Sequence, residues 1–214
     1  MRQWSDNHPQ GKLLARKRAA ILDAAQAAFL QQGYEGASME SIAQAAGVSI
    51  MTLYRHARRK DELFAAIIAD ACDHSSEEKQ AQIREMERMP LEEMLVKLGV
   101  MFQEKWSNPQ ILALLRVVIT ELKRFPQLAE TVHQAFFVNW EVNLDAFLAP
   151  RAELQGIDAK TRRKLCEAFF SRLVGLDAFR LLLGIKGSTK NERLDRARSA
   201  AATLVADIRT QART

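Results

Sequence analysis

Residues 38–56 of this chain read SMESIAQAAGVSIMTLYRH, and this stretch decides the fold. Serine is a good helix N-cap, so Ser38 predicts a short helix over 39–46 and Ser49 predicts a second one directly after it. Gly47 ends the first helix, because glycine most easily adopts the left-handed conformation of a helix C-terminus. Two short helices separated by a Gly-Val-Ser turn form the pattern of a helix-turn-helix.

The apolar residues of this stretch predict how its two helices pack. The side chains expected to face inward are Ile42, Ala45, Val48 and Leu53. Ala43 and Ala46 are small enough to let the helices cross closely. The second helix is then left exposed, and a helix has the right width to enter the major groove of DNA. Its predicted exposed residues are Ile50, Met51, Thr52, Tyr54, Arg55 and His56.

Over about residues 18–64 the sequence resembles the TetR family of transcriptional regulators. The resemblance runs through a first helix, the loop GYEG at 33–36, the helix-turn-helix, and KDELF at 60–64. These features must coincide in order and spacing, which a chance pair of helices rarely achieves. The resemblance implies an all-α protein with an N-terminal three-helix DNA-binding domain and a C-terminal helical domain for ligand binding and dimerisation.

The resemblance also implies which residues contact DNA. Those expected at base edges are Ser49, Ile50, Met51 and Thr52. Those expected at phosphates are Tyr54, His56 and Lys60, and Ser38 or Met39 is expected to contact the DNA backbone. One departure is Ala57, where many relatives have an aromatic residue, and the core there is expected to be looser. The basic pair Arg58 and Arg59 follows, and is expected to add salt-dependent, non-specific affinity. For Arg16, Lys17 and Arg18, a solvated helix face and phosphate contact both remain open.

The excess positive charge lies at the N-terminal end of the chain. Residues 1–60 contain 9 Lys and Arg against 4 Asp and Glu, out of chain totals of 31 and 26. Subtraction leaves 22 of each sign in residues 61–214, so the whole formal net charge of +5 belongs to the first 60 residues. Taken alone, this asymmetry fits either a polyanionic partner such as DNA or a solvated basic tail. The helix-turn-helix pattern favours DNA.

Composition and helical spacing predict the rest of the fold. With 9 Gly and 5 Pro and no sustained strand alternation, the chain is expected to be helix-rich and globular. Apolar periodicity, caps and prolines predict about nine helices. Those with both ends predicted cover 14–33, 39–46, 60–88, 126–149 and 158–184, and the others begin near 50, 90, 109 and 189. We expect an N-terminal arm and DNA-binding domain over 1–60, and an effector-binding and dimerisation domain over 61–214.

The two long helices over 126–149 and 158–184 are apolar on more than one face. Part of this surface is therefore expected to contact a partner subunit, giving a homodimer through the C-terminal helices. Residues within the apolar stripes are candidate ligand contacts, namely Phe136, Trp140, Asn143, Arg172 and Asp177. Arg172 and Asp177 also fit the alternative that a protein group, in the same chain or across the dimer, satisfies them.

An enzyme is the competing class. The segment Glu130–His133 spells E-x-x-H, but a di-iron helical bundle needs a second copy and two further glutamates. Cys72 and His74 do not complete a metal site. The sequence therefore predicts no catalytic residue, metal or cofactor. The two cysteines lack paired spacing, and the N-terminus lacks the apolar stretch of a signal peptide, so we expect a cytoplasmic protein with no membrane partner.

These observations predict a regulator that binds double-stranded DNA. We expect a repressor that a small-molecule effector, of a kind the sequence does not identify, releases from a palindromic operator. The alternative is a DNA-binding regulator with no small-molecule ligand, whose C-terminal bundle is solidly packed.

Overall fold

The computed structural model of the chain describes residues 9–71 and 84–211. Eleven α-helices lie entirely within these residues, and no strand occurs among them, so the predicted all-α class is confirmed. The helices are α1 (Pro9–Gly36), α2 (Met39–Ala45), α3 (Ile50–His56), α4 (Lys60–Ala71), α5 (Leu91–Trp106), α6 (Pro109–Glu121), α7 (Gln127–Val132), α8 (Asn139–Leu148), α9 (Ala159–Val174), α10 (Asp177–Leu182) and α11 (Lys190–Gln211). Residues 84–88 are also helical.

Two predicted helices are interrupted. The helix expected over 126–149 consists of α7, a π-helical segment over His133–Val138, and α8. The helix expected over 158–184 divides into α9 and α10, because Gly175 adopts a φ of 47° that ends α9. These two interruptions account for the difference between the nine predicted helices and the eleven observed.

The first helix and the fourth also differ from their predicted extents. Helix α1 does not end at Gly33 but continues to Gly36, with a kink where Gly33 has a φ of 73°. Only glycine adopts such a backbone conformation without strain, so the residue changes the direction of the helix. Helix α4 is described to Ala71, and the part of the predicted helix over 72–83 lies outside the described residues.

The described residues form two compact units. The first contains 9–71 together with Ala113–Ala135. Its core is built on the buried side chains Phe29, Leu53 and Phe64, each with 0% exposure. Helix α1 packs on α2 and α4, and α7 packs on α4. The three-helix arrangement around α3 is therefore supported by a segment far away in sequence.

The second unit contains 84–112 and 136–211. Helix α11 packs along α5, and α9 packs on α8 and α11. Close packing depends on Gly99 of α5, where an added Cβ would lie 3.1 Å from the Leu173 side chain and 3.2 Å from Cβ of Ala197. The aromatic side chains of this unit's core are Phe102, Phe136, Trp140, Phe169 and Phe170. This unit is a packed helical bundle.

The functional division expected after residue 60 remains a prediction, since compactness alone groups α4 with the first three helices. Within residues 9–71 and 84–211, no helix is both long and apolar enough to cross a bilayer. The same residues contain no group of three or more His, Cys, Asp or Glu side chains arranged to hold a metal ion.

Candidate nucleic-acid interface

Helix α2 begins with a reciprocal cap. The backbone N–H of Ser41 donates to Oγ of Ser38 at 3.0 Å, and the backbone N–H of Ser38 donates to Oγ of Ser41 at 3.3 Å. Two N–H groups that the helix itself cannot pair are satisfied in this way. The start of α2 is therefore fixed by its own sequence, as predicted from Ser38.

Gly47 makes the turn between α2 and α3. It has a φ of 64°, and its N–H donates to the carbonyl of Gln44 at 3.1 Å. The N–H of Val48 donates to the carbonyl of Ala43 at 3.0 Å. These hydrogen bonds satisfy the last carbonyls of α2 and redirect the chain into α3.

Helix α3 is almost entirely accessible. Ser49 caps it by accepting a hydrogen bond from the backbone N–H of Thr52 at 3.2 Å. Leu53 is the single buried side chain among its seven residues and has 0% exposure. Met51 is 64% exposed and Tyr54 is 41% exposed. The remaining residues are Ile50 and Thr52, which are half-buried, and Arg55 and His56, which are exposed. One anchored face thus leaves the others free to meet a ligand.

The packing of α2 corrects one sequence prediction. Ala45, expected to face inward, is exposed, whereas Met39, Ile42 and Ala43 are buried. Those three residues form a stripe at helical spacing whose next member is the half-buried Ala46, not Ala45. Because the side chain of Met39 is only 8% exposed, any DNA contact there falls to its backbone.

His56 lies at the C-terminal end of α3. Its pKa is lowered from the ordinary value of 6.5, first by desolvation and then by the positive charge of Arg18. The imidazole is therefore neutral at pH 7 in the DNA-free protein and can donate one N–H to a phosphate.

Lys60 begins α4 and is half-buried. Its ammonium donates to the carbonyls of Glu35 at 3.1 Å and Ala37 at 2.9 Å, and lies 4.6 Å from the ring centroid of Tyr34. Burial lowers the pKa of this amine, while the charge of Glu121 acts in the opposite direction. The structure thus gives the side chain a task within the protein, fastening the loop before α2 to the start of α4.

The other basic residues near α3 have varied surroundings. Arg58 is exposed, while Arg59 pairs with Asp61 at 3.0 Å and with Glu62 at 3.7 Å. Arg18 forms an ion pair with Asp70. Arg16 and Lys17 are exposed on α1, so both of their predicted alternatives remain open. Ala57 is buried, with 3% exposure.

A contact that sequence reasoning missed supports this site. Tyr34 is buried, and its ring centroid lies 4.9 Å from that of Phe125. Next to it, Arg124 forms an ion pair with Glu35. Burial raises the pKa of Tyr34 to about 12, aided by Asp61 and opposed by Arg59. Because the paired residues lie about ninety positions apart, helical periodicity carries no signal for them.

The predicted ligand-contact residues do not gather at one place. Phe136 and Trp140 are buried, and both rings contact Phe102, at 6.0 and 5.2 Å. Asn143 is exposed, and the exposed Arg172 pairs with Asp207 at 3.6 Å. An open groove between α5 and α11, lined by residues including Glu92, Val96 and Arg198, contains none of the five predicted residues.

Asp177 is buried and held by the chain itself. Its carboxylate accepts a hydrogen bond from the backbone N–H of Ser188 at 3.1 Å and one from Arg196 at 3.3 Å. Desolvation alone would raise the pKa of this carboxyl, but the hydrogen bonds from Ser188 and Arg196 hold it below the ordinary 3.8. The structure supplies protein partners for Asp177, which was one of the two alternatives.

Four large apolar side chains are exposed around α10, and we call them the α10 patch: Leu176, Phe179, Leu183 and Ile185. Leu176, Phe179 and Leu183 are spaced to lie on one helix face, with exposures of 75%, 67% and 75%. Helix α11 buries its apolar residues within its own unit. A contiguous exposed apolar face is typical of an interaction surface.

Two family models match the chain. The model of bacterial regulatory proteins of the tetR family matches residues 21–67, which include α2 and α3. The model of the AefR-like transcriptional repressor C-terminal domain matches residues 93–206, more than half of the chain. Both halves of the fold thus resemble those of one regulator family.

Individual relatives agree with this assignment. The chain is 41% identical over 54 residues to the HTH-type transcriptional repressor Rv1474c of Mycobacterium tuberculosis, a match covering 25% of this chain and 29% of the relative. It is 40% identical over 58 residues to the HTH-type transcriptional activator FasR of Mycolicibacterium smegmatis, covering 27% and 26%. The chain therefore matches less than a third of either relative's length.

The solved structure of the flavonoid-responsive regulator FrrA is similar over almost the whole fold. It has a TM-score of 0.64 and 26% identity, and the match covers 90% of this chain and 96% of that one. Together with the two family models, this likeness assigns the protein. The chain belongs to the TetR family of transcriptional regulators, which are DNA-binding proteins and not enzymes.

Proposed function

We propose that this protein is a homodimeric regulator that reads a palindromic operator through α3. The observation that carries the proposal is the exposure pattern of this helix, in which Leu53 alone anchors it and the other six residues are exposed or half-buried. Family members bind operator DNA as dimers. The site of action is the cytoplasm, where bacterial operator DNA is located.

The contacts divide into two kinds. Residues at the N-terminal end of α3 read base edges, and these are Ser49, Ile50, Met51 and Thr52. Flanking residues contact phosphates and fix the register of the protein on the duplex. They are Tyr54, Arg55 and His56, together with Ser38 or the backbone of Met39 at the start of α2.

For Lys60, the contacts within the protein support a positioning role. Its ammonium already has two carbonyl acceptors, so fewer donors are left for a phosphate than on an exposed lysine. By joining the loop before α2 to the start of α4, Lys60 sets how α2 and α3 are held. It affects DNA binding through geometry more than through charge.

The α10 patch supports dimerisation. Leu176, Phe179 and Leu183 lose favourable free energy as long as they face water, and a symmetric partner presents the same face for burial. The buried carboxylate of Asp177 lies directly behind this face and holds α10 against the start of α11 through Ser188 and Arg196. The dimer contact thus involves α10 and its flanks.

The C-terminal unit is the place for an effector. Family members respond to small-molecule effectors, and the similar structure FrrA is by name a flavonoid-responsive regulator. Repression with release by the effector is the simplest scheme, although one matched relative is a repressor and the other an activator. An effector shifts the equilibrium only by its difference in affinity, so the DNA-bound protein must bind it more weakly.

Footprinting of the purified protein on a duplex chosen by repeated selection tests the proposal. We expect two protected half-sites with their centres about 34–36 Å apart, or slightly more, along one face of the duplex. Protection of a single site, or uniform coverage that competitor DNA removes, would contradict the dimeric reading. If no small molecule changes operator affinity, the alternative of a regulator without an effector replaces the release scheme.

A further inference from the structure

Three buried polar atoms at one end of α5 have no hydrogen-bond partner among the described residues. They are Oε1 of Gln103, Nε1 of Trp106 and Nε of Arg193. Gln103 is only 4% exposed and Trp106 only 7%. Native proteins pair more than about nine-tenths of their buried polar groups. Three unpaired atoms therefore call for a ligand if they lie close together.

Printed contacts place these atoms in one neighbourhood. Nε2 of Gln103 donates to the backbone carbonyl of Arg193 at 2.9 Å, which joins α5 to the first turn of α11. Trp106 follows Gln103 by three residues on α5, so the two side chains share a helix face. The amide of Gln103 is thus held from one side, which leaves its carbonyl oxygen directed elsewhere.

Aromatic rings cover the same place. The indole of Trp106 lies 5.6 Å from the ring of Phe136 and 5.5 Å from that of Phe137. These consecutive phenylalanines both reach Trp106 because they belong to the π-helical segment His133–Val138, whose wider turn brings neighbours closer in angle. Such segments are frequent at functional sites. We call Gln103, Trp106, Phe136, Phe137 and Arg193 the Trp106 cluster.

The charge of the cluster is positive. None of the ion pairs among the described residues involves Arg193, whose Nη1 donates to the carbonyl of Ser188 at 3.0 Å. Nε of this guanidinium and Nε1 of Trp106 are both donors, against one free acceptor on Gln103. A partly buried cation without a counter-ion favours an anionic ligand.

We propose that the Trp106 cluster binds an aromatic carboxylate. The carboxylate accepts hydrogen bonds from Nε1 of Trp106 and Nε of Arg193, its ring packs against Phe136 and Phe137, and a ring hydroxyl donates to Oε1 of Gln103. Because Phe137 is half-buried while Phe136 is 1% exposed, Phe137 is the ring that must rotate to admit the ligand. This inference rests on the proposed effector role of the C-terminal unit and specifies the ligand's chemistry.

Isothermal titration of the full-length protein with four probes tests the proposal. The probes are 4-hydroxycinnamate, its methyl ester, the ring-saturated acid 3-cyclohexylpropanoate, and decanoate. We expect 4-hydroxycinnamate to bind, and the ester and the ring-saturated acid to bind at least about tenfold more weakly, since each lacks one of the two recognised features.

Two matched variants locate the site. Trp106→Phe retains an aromatic ring but removes the N–H donor, and should weaken 4-hydroxycinnamate binding by about tenfold. Trp140→Phe makes the same change in a ring that contacts Phe102 and Phe170 instead, and should leave binding unchanged. Equal effects of the two variants, or none from Trp106→Phe, would overturn the site.

The remaining outcomes are also decisive. Failure of 4-hydroxycinnamate to bind, or equal or tighter binding of decanoate, would overturn the aromatic carboxylate. Operator binding is measured on the same preparation without any probe. A protein that binds operator but no aromatic acid refutes this inference and leaves the DNA-binding function standing. A protein that binds the acid but no DNA refutes the proposed function and leaves the inference standing.

Discussion

The side chains around α3 differ in whether their charge is available to DNA. The ammonium of Lys60 has two carbonyl acceptors and the ring of Tyr34 beside it, whereas the side chain of Arg58 is exposed. Only a cation that contacts phosphate releases counter-ions on binding, so the salt dependence of affinity separates the two roles.

We expect Arg58→Met to reduce the slope of log affinity against log salt by about 0.9, the value for one phosphate contact. We expect Lys60→Met to change the slope by less than half of that while lowering the stability of the fold by about 1–2 kcal/mol, through the loss of hydrogen bonds to carbonyls. Fluorescence anisotropy over a range of salt concentrations and thermal unfolding measure both. Arg163→Met, an exposed change on α9, is the control. Equal slope changes in both variants would show that Lys60 contacts phosphate after all.

His56 predicts a pH dependence of DNA binding. Burial and Arg18 lower its pKa from 6.5 in the free protein, and a phosphate nearby would raise it again in the complex. The complex then holds more protons than the free protein, so affinity should rise as pH falls from 7 through the lowered pKa, by about tenfold for each unit of difference in pKa.

His56→Gln should abolish this increase, as measured by anisotropy between about pH 5 and 8. His133→Gln alters another exposed histidine, on the π-helical segment, and should leave it in place. A pH profile that is unchanged in His56→Gln would remove His56 from the set of phosphate contacts.

At the scale of elements, the turn between α2 and α3 determines how the recognition helix is presented. Gly47 has a φ of 64°, but an added Cβ would meet nothing within 4 Å. Gly47→Ala should therefore destabilise the protein through backbone strain alone, by about 1–2 kcal/mol. Gly36→Ala is the control, because Gly36 has no positive φ and its added Cβ would make an ordinary 3.4 Å contact. Chemical denaturation measures both, and equal stabilities of the two variants would contradict the role assigned to Gly47.

The helices that sequence predicts best are those with local end signals. Helix α3 begins after Ser49, as expected, because serine caps act within one turn of the chain. The break between α9 and α10 was not predicted, since Gly175 interrupts an apolar pattern that continues on both sides and glycine is tolerated inside helices. The π-helical segment likewise leaves no mark in an apolar pattern that continues through it.

The candidate site follows the same rule. The exposure of Met51 and Tyr54 follows from local helix geometry and was predicted, whereas the contact of Tyr34 with Phe125 depends on how distant segments fold together. The polar residues singled out as ligand contacts dispersed, because a helical stripe indicates which side of a helix a residue occupies but not what faces it. Asn143 and Arg172 are exposed for this reason.

At the scale of the whole molecule, two copies of α3 must be held at a fixed separation to read a palindrome. The α10 patch is the surface proposed to do so. Phe179→Glu would place a charge in the buried interface and should raise the dimer dissociation constant by at least about 100-fold. Palindrome binding should weaken with it.

Analytical ultracentrifugation measures the effect on dimerisation. Val142→Glu is the matched control, because Val142 is 57% exposed in the same unit but lies on α8, outside the patch. A dimer that survives Phe179→Glu but dissociates in Val142→Glu would move the interface to α8.

The central claim is that the exposed face of α3 reads base sequence. Selection of binding sites from a random duplex library, carried out in parallel with the wild-type protein and Met51→Arg, tests it most directly. The account predicts a palindromic motif for the wild type and, for the variant, a motif of the same spacing with changed bases in each half-site, since arginine prefers guanine edges. No enriched motif for the wild type, or an identical motif for both proteins, would contradict it.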